Sequence, residues 1–299
     1  MYPKAFFRNM LSINLLTKRK SISIASLSLL FSGLLLMWLI GYLSTNPHST
    51  YIPKAPKQIS AQEKVNNDSI PWQVLKLMKA YPNFVIGYTN GFLLFQDSTQ
   101  MLFNDNRIKS SQDLLDNADL EDMFHDTYLA DSSVKTPVSD AGRMRNEAFF
   151  MKIYGQTKEE IRSNLTEIVW CPSLVNQRIL VNKKNGVSKQ FNALSKELDQ
   201  HPEFKKYISN IGGTFNYRKI NGTNRLSMHS FGITIDINIA ESNYWQWDCG
   251  CTNENGVRGF KNRIPIELVL IFEKHGFIWG GRWKHYDTMH FEYRPELLP

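Results

Sequence analysis

Ile233-Thr-Ile-Asp-Ile-Asn-Ile239 is the segment that leaves this chain the least conformational freedom. Isoleucine fills every odd position, and Thr234, Asp236 and Asn238 fill the even ones. Side chains of a strand alternate between two faces, whereas a helix would scatter the same set around its circumference. The segment is therefore expected to be a strand with one apolar and one polar face. Met289-His-Phe-Glu-Tyr293 repeats the pattern, with His290 and Glu292 opposite Met289, Phe291 and Tyr293. Both are read as half-buried strands.

Helical spacing frames these strands. Val187, Phe191, Leu194 and Leu198 lie on one helix face and stop before Pro202, and RIPIELVLIFEKHGF starts its helix at Pro265 and ends at Gly276. Upstream, PWQVLKLMKAYP reads as a short helix and FVIGYTNGFLLFQ as a hairpin turning at Thr-Asn-Gly. The stretch from Ser110 to Asp131 reads as acidic and polar loops. DAGRMRNEAFFMKIYG reads as a helix whose Arg143 and Arg145 face water. Helices interleaved with antiparallel-type strands define an α+β class, here a small antiparallel sheet with flanking helices that form a cleft.

The N-terminal region differs in kind. Ser21–Leu43 contains no charged residue and is long enough to cross a bilayer core as a helix. Lys4, Arg8, Lys18, Arg19 and Lys20 precede it with no acid among them. The positive-inside tendency then puts residues 1–20 in the cytoplasm and the rest outside, as a single-pass membrane protein. A cleaved signal peptide, and hence secretion, is the rival, although the run is long for one and no small-x-small site follows it. The expected order is a basic tail (1–20), a transmembrane anchor (21–43), a polar linker with three prolines (44–68), an accessory α/β region without a readable role (69–170) and a domain spanning 171–299.

The net charge of +7 invites a nucleic-acid reading. Removing the five tail cations from the 35 Lys and Arg leaves 30 against 28 acids, so the body is nearly neutral and a phosphate-tracking surface is not expected. Three cysteines, Cys171, Cys249 and Cys251, specify no disulfide framework. Cys249-Gly-Cys251 is too tight for half of a zinc ribbon, and a bridge from Cys171 to one of the pair stays open. Nothing in the sequence fixes an oligomeric state.

Catalytic zinc takes three protein ligands and keeps one position open. His229 stands just before the first strand, Asp236 on its polar face and His290 on the polar face of the second strand, so alignment of the two strands would bring all three into one zinc cleft. Asp287, three residues before His290, falls where a carboxylate could reach a water without ligating the metal. Each such residue alone ordinarily just faces water. Their combination, with Thr, Asp and Asn set among four isoleucines and D-x-x-H-x-E on another strand, is one that a solvated face rarely produces.

Ser227-Met-His-Ser-Phe-Gly-Ile-Thr-Ile-Asp236 resembles the S-x-H-x-x-G-x-A-x-D motif of the VanY-like D-alanyl-D-alanine carboxypeptidases, zinc peptidases related to lysostaphin-type and hedgehog-type domains. Gly276-Phe-Ile-Trp-Gly-Gly-Arg-Trp283 followed by Asp287-Thr-Met-His-Phe-Glu292 is similar to the family's closing G-F-x-W-G-G-x-W and D-x-x-H-F-E signature. The resemblance spans about Asn210–Pro299, extends more weakly to Val187 and is not legible before Trp170. It departs from the pattern at Thr234, where the family has a small Ala, and at Asp287, where some relatives use Glu.

The resemblance implies zinc held by His229, Asp236 and His290, with Asp287 as general base and acid. It implies an arginine facing the substrate carbonyl or carboxylate, for which Arg218 is the first candidate and Arg225 the second. Trp279 and Trp283, with Tyr286 and Phe291, are candidate cleft walls that could equally be core. His285 is a candidate donor to the tetrahedral intermediate, and Glu292 and Ser227 are expected to support the ligands from behind. The activity implied is zinc-dependent hydrolysis of peptidoglycan stem peptides outside the membrane, in the simplest case removal of terminal D-alanine. A peptidoglycan endopeptidase (L-Ala–D-Glu or cross-bridge) and a non-catalytic zinc-containing cell-wall binding module are the alternatives. Trp245, Trp247 and Cys249 lie in a 240–262 insertion that would shape the pocket and carries no readable code.

Overall fold

The computed structural model describes residues 70–130, 136–251, 253–257 and 259–299. The tail, the expected anchor at 21–43 and the linker lie outside the described residues. Within them no helix is long and apolar enough to cross a membrane.

Helix α1 (Trp72–Ala80) buries Val74 and Leu77 and leads into the hairpin of β1 (Val85–Thr89) and β2 (Phe92–Phe95). Asn90 and Gly91 turn it with φ of 49° and 83°, the paired positive values that a two-residue type I′ turn demands. β3 (Gln100–Leu102) completes a three-stranded antiparallel sheet. The loop expected after Ser110 instead contains α2 (Ser111–Asp116), started by the Ser110 side chain accepting the Asp113 N–H. Its six residues bury only Leu115, too few for a readable period.

The helix expected from Asp140 onward starts only at Glu147 and forms α3 (Glu147–Tyr154). Asn146 accepts the Phe149 N–H as its cap, and Gly142 with φ of 96° breaks the preceding backbone. Arg143 and Arg145 therefore sit in irregular chain before the helix and are half-buried in ion pairs, correcting the water-facing placement. α4 (Lys158–Ser163) precedes an antiparallel hairpin of β4 (Leu165–Trp170) and β5 (Gln177–Asn182). This hairpin spans the expected 170/171 boundary, and one core takes Leu77, Phe149 and Trp170 together with Phe191, Ile235 and Phe272.

α5 (Val187–Leu198) buries the four residues that its spacing marked. After α6 (Lys205–Ile208) come β6 (Ile211–Gly213), β7 (Thr234–Asn238), α7 (Trp245–Cys249), α8 (Ile266–Lys274), β8 (Phe277–Trp279) and β9 (His290–Tyr293). Four of these strands form an antiparallel sheet in the order β6-β7-β9-β8. Ile235 and Ile237 go fully into the core, and Phe291 stacks on Phe272 of α8 at 3.8 Å between centroids. Burial of side chains of this size stabilises by roughly 1.5–3 kcal/mol each.

The polar faces are drier than a half-buried strand would leave them. Every residue of β9 is buried, and Thr234 is 0% exposed with its hydroxyl donating to the Thr214 carbonyl at 3.3 Å. The chain around Thr214 and around Arg145 folds over that face and replaces water with fixed partners. Cys249 and Cys251 are joined to one another, and Cys171 is a buried free thiol.

Candidate active site

The β7–β9 register places Asp236 directly opposite His290, with Ile235 opposite Phe291 and Thr234 opposite Glu292. His229 lies in the short helical turn Met228–Phe231 that feeds β7, and Gly232 with φ of 67° ends the turn. A Cβ at Gly232 would come within 2.6 Å of Leu165, so backbone and packing both demand glycine there.

These elements bring together the three residues that the sequence marked as candidate ligands. His229 Nε2 lies 3.2 Å from His290 Nδ1 and 3.1 Å from Asp236 Oδ2, and His290 Nδ1 lies 2.8 Å from Asp236 Oδ1. An ion bound tetrahedrally at about 2.0–2.1 Å would hold its ligands roughly 3.3 Å apart, close to this spacing. The outer ring nitrogens are already committed. His229 Nδ1 lies 2.8 Å from the Thr214 carbonyl, and that carbonyl can only accept, so the ring must donate. His290 Nε2 lies 2.9 Å from Glu292 Oε1. With both outer nitrogens acting as donors, the lone pairs of His229 Nε2 and His290 Nδ1 converge with a carboxylate, a donor set that fits a divalent ion.

The local electrostatics carry the same signature. Burial alone would depress the His290 imidazole, but hydrogen bonds to Asp236 and Glu292 push it up to about 10. Burial would raise Asp236, yet the two histidines hold it well below the usual carboxylate range. Glu292 is fully buried, and against that burial Arg145, His290 and Arg294 pull it down to about 2. Arg145 bonds one of its oxygens and Arg294 Nη1 lies 3.2 Å from the other.

Asp287 behaves oppositely. Burial first, and then repulsion from Asp236, raises its carboxyl to about 7, and its buried Oδ1 has no hydrogen-bond partner. Its backbone is pinned by donation to the Gly280 carbonyl at 3.0 Å and by a bridge with Tyr244. A Cβ on Gly280 would meet the Asp287 carbonyl at 2.6 Å, so this close approach needs glycine.

The remaining candidates occupy varied positions. Arg218 holds the motif by its backbone, its N–H donating to Ser230 Oγ at 3.0 Å, while its exposed guanidinium donates to the Lys219 carbonyl and not to the ligand set. Arg225 pairs with Asp116 at 3.1 Å. Ser227 is buried, donates its N–H to the Arg218 carbonyl and accepts from the Ser230 N–H. His285 has both nitrogens engaged, Nδ1 with Asp140 at 2.6 Å and Nε2 with the Glu254 carbonyl at 2.7 Å, so it ties loops together. Trp283 packs 5.7 Å from the His290 ring and donates to the Ala141 carbonyl. Trp279 is core, donating to the Thr288 carbonyl at 2.9 Å.

Two partners escaped the sequence. Thr214 acts through its carbonyl, which no side-chain pattern reveals. Arg145 bonds Glu292 from 147 residues away. The only available signal was a pair of arginines in a tract whose helical reading turned them outward.

Residues 221–293 match the family model described as D-alanyl-D-alanine carboxypeptidase. The match takes in His229, Asp236, Asp287 and His290, so this segment has its likeness among the metallopeptidases that its two motifs resemble. No curated protein and no solved structure matches the chain.

Proposed function

We propose that this chain is a zinc-dependent peptidase that hydrolyses peptidoglycan stem peptides, acting as a D-alanyl-D-alanine carboxypeptidase. The observation that carries the reading is the convergence of His229 Nε2, Asp236 and His290 Nδ1, each histidine held by its outer nitrogen, beside a carboxyl that titrates near neutrality. When bound by these residues, zinc supplies a Lewis acid for the scissile carbonyl and lowers the pKa of a coordinated water to roughly 7.

The protein's own part lies in proton handling and orientation. Asp287, with Oδ1 unbonded, accepts a proton from the attacking water as the new C–O bond forms. It returns that proton to the amine nitrogen as the C–N bond breaks, which leaves a free amine and a carboxylic acid whose remaining proton passes to solvent. Glu292 keeps the His290 proton on Nε2, so that Nδ1 stays a ligand. Glycine at 280 lets the Asp287 backbone sit close enough to aim its carboxylate.

The uncharged run at 21–43 and the basic residues before it support an anchor in a bacterial cytoplasmic membrane, with the peptidase outside, where stem peptides are. The test is mass spectrometry of muropeptides incubated with the zinc-loaded full chain. Loss of one terminal D-alanine is expected. Stems cut internally would move the assignment to an endopeptidase, and unchanged muropeptides with one zinc bound per chain would end the catalytic reading.

A further inference from the structure

Three consecutive residues of the turn that carries Asp287 are each held by the insertion after β7. His285 donates its Nε2 proton to the Glu254 carbonyl at 2.7 Å and packs edge-on against the Trp245 ring, 4.9 Å between centroids. Tyr286 donates its hydroxyl to Asp248 at 2.8 Å, and its carbonyl accepts the Trp245 N–H at 2.9 Å. Asp287 itself forms an antiparallel bridge with Tyr244. Its buried Oδ1 has no hydrogen-bond partner, so the aim of the carboxylate depends on how firmly the backbone around it is held.

The insertion is fixed in that shape by a covalent bond. α7 presents Trp245 and Asp248 and ends at Cys249, and Gly250 with φ of 62° reverses the chain so that Cys251 returns to bridge Cys249. The Cys251 sulfur packs on Gly256, where a Cβ would collide with it, at the end of the short turn Glu254–Gly256. The bridge therefore links the helix that holds Tyr286 to the turn that holds His285. A cross-link of this kind removes backbone freedom that turn residues otherwise keep. The far side is closed by the chain before α3. Arg143 donates to the Glu254 carboxylate through both terminal nitrogens at 2.8 Å, and Asp140 accepts from His285 Nδ1 at 2.6 Å and from the His285 N–H at 3.0 Å.

We propose that Glu254 and the Cys249–Cys251 bridge are positioning residues for Asp287. The bridge sets Glu254, Glu254 sets His285, and the backbone two residues on aims the carboxylate. The candidate metal ligands are held independently, by the β7–β9 register and by Thr214 and Glu292, none of which lies in the insertion. Opening the bridge should thus disturb proton transfer and leave metal binding intact. The effect on catalysis rests on the peptidase reading; the effect on the turn does not.

The test compares the full chain with its Cys249→Ser/Cys251→Ser variant, whose oxygens cannot bridge. Hydrogen exchange in peptides covering 284–289 is expected to run about fivefold faster in the variant, with β7 and β9 unchanged. On muropeptides kcat should fall by about tenfold or more, with KM unchanged and one zinc per chain, because small misplacements of a reacting group are costly. A melting curve identifies a variant that has not folded, and reduction of the unmutated chain then decides. A water-soluble phosphine takes the oxygen of one water and becomes the phosphine oxide, the two hydrogens of that water end on the two sulfurs, and exchange at 284–289 should rise as in the variant. Unchanged exchange at 284–289 once the bridge is open, faster exchange with unchanged kcat, or faster exchange spread over β7 and β9 overturns the positioning role. Faster exchange confined to 284–289 in a chain that leaves muropeptides intact supports the clamp and discards the peptidase.

Discussion

His229 Nε2 and His290 Nδ1 face each other at 3.2 Å, and each ring is turned by what its far nitrogen touches, the Thr214 carbonyl for one and the Glu292 carboxylate for the other. Two lone pairs this close repel unless a proton or a cation lies between them. His290→Ala should therefore abolish stoichiometric zinc in the purified chain, read by plasma mass spectrometry. A variant that kept one zinc and full activity would remove His290 from the ligand set.

Zinc affinity should climb with pH. The His290 imidazole, raised to about 10 without metal, carries a proton at pH 7 that must leave before Nδ1 can bind an ion. One proton lost per ion gives about a tenfold gain in affinity per pH unit between pH 7 and 9. Competition with a chelator of known pH dependence measures the slope, and a flat response would show that His290 is not the ligand losing the proton.

Asp287→Asn should separate chemistry from folding. Loss of a positioned acid–base group lowers kcat by about 10²–10⁴, with zinc retained. The metal-free protein should move the other way in stability. Asp287 rises in the fold from an ordinary 3.8 to about 7, so the native state holds a proton that the unfolded chain releases, and stability declines as pH climbs from 4 to 7. The asparagine variant escapes this loss. It should exceed the parent by an amount on the order of 4 kcal/mol at pH 8 and match it near pH 4. Denaturant titration of both proteins in chelator reads the difference.

Glu292→Gln should harm both the fold and the site. It leaves Arg145 and the fully buried Arg294 facing a neutral amide, and breaking buried pairs of this kind costs about 3–5 kcal/mol. The loss of an orienting partner behind a histidine ligand should weaken zinc by a further 10–100-fold. Unchanged affinity in a folded variant would reduce Glu292 to a structural charge.

Gly280→Ala should cost about 1–3 kcal/mol and most of the activity, since the new methyl meets the Asp287 carbonyl at 2.6 Å and the obstacle is backbone that cannot rotate away. Thermal unfolding and peptide turnover together check it. Normal values for both would show that the 280–287 turn yields at no cost.

How far the sequence revealed this molecule depended on whether a residue's partners were local. Alternating isoleucines in β7, the Asn-Gly turn and the spacing of Val187 to Leu198 each encode their own geometry, and all three appear as expected. So does the meeting of His229, Asp236 and His290, because polar positions on two strands must coincide once the strands pair in register. What stayed hidden depends on distant chain. Arg145 looked like a solvated helix residue until Asn146 proved to be the cap. His285 looked free until Asp140 and Glu254 took both its nitrogens. The burial of Thr234 and Glu292 likewise required knowing what lies over the sheet.

The pairing of Asp236 with His290 across β7 and β9 has a bearing on assembly. His290 arrives from 54 residues away, and a slip of one position would turn it toward the opposite face. A chain still coming together offers no complete seat for an ion. On the proposed reading, capture follows closure of the sheet, the cation then acts like a rivet through a seam already drawn tight, and its removal is expected to loosen first the strands that it joins.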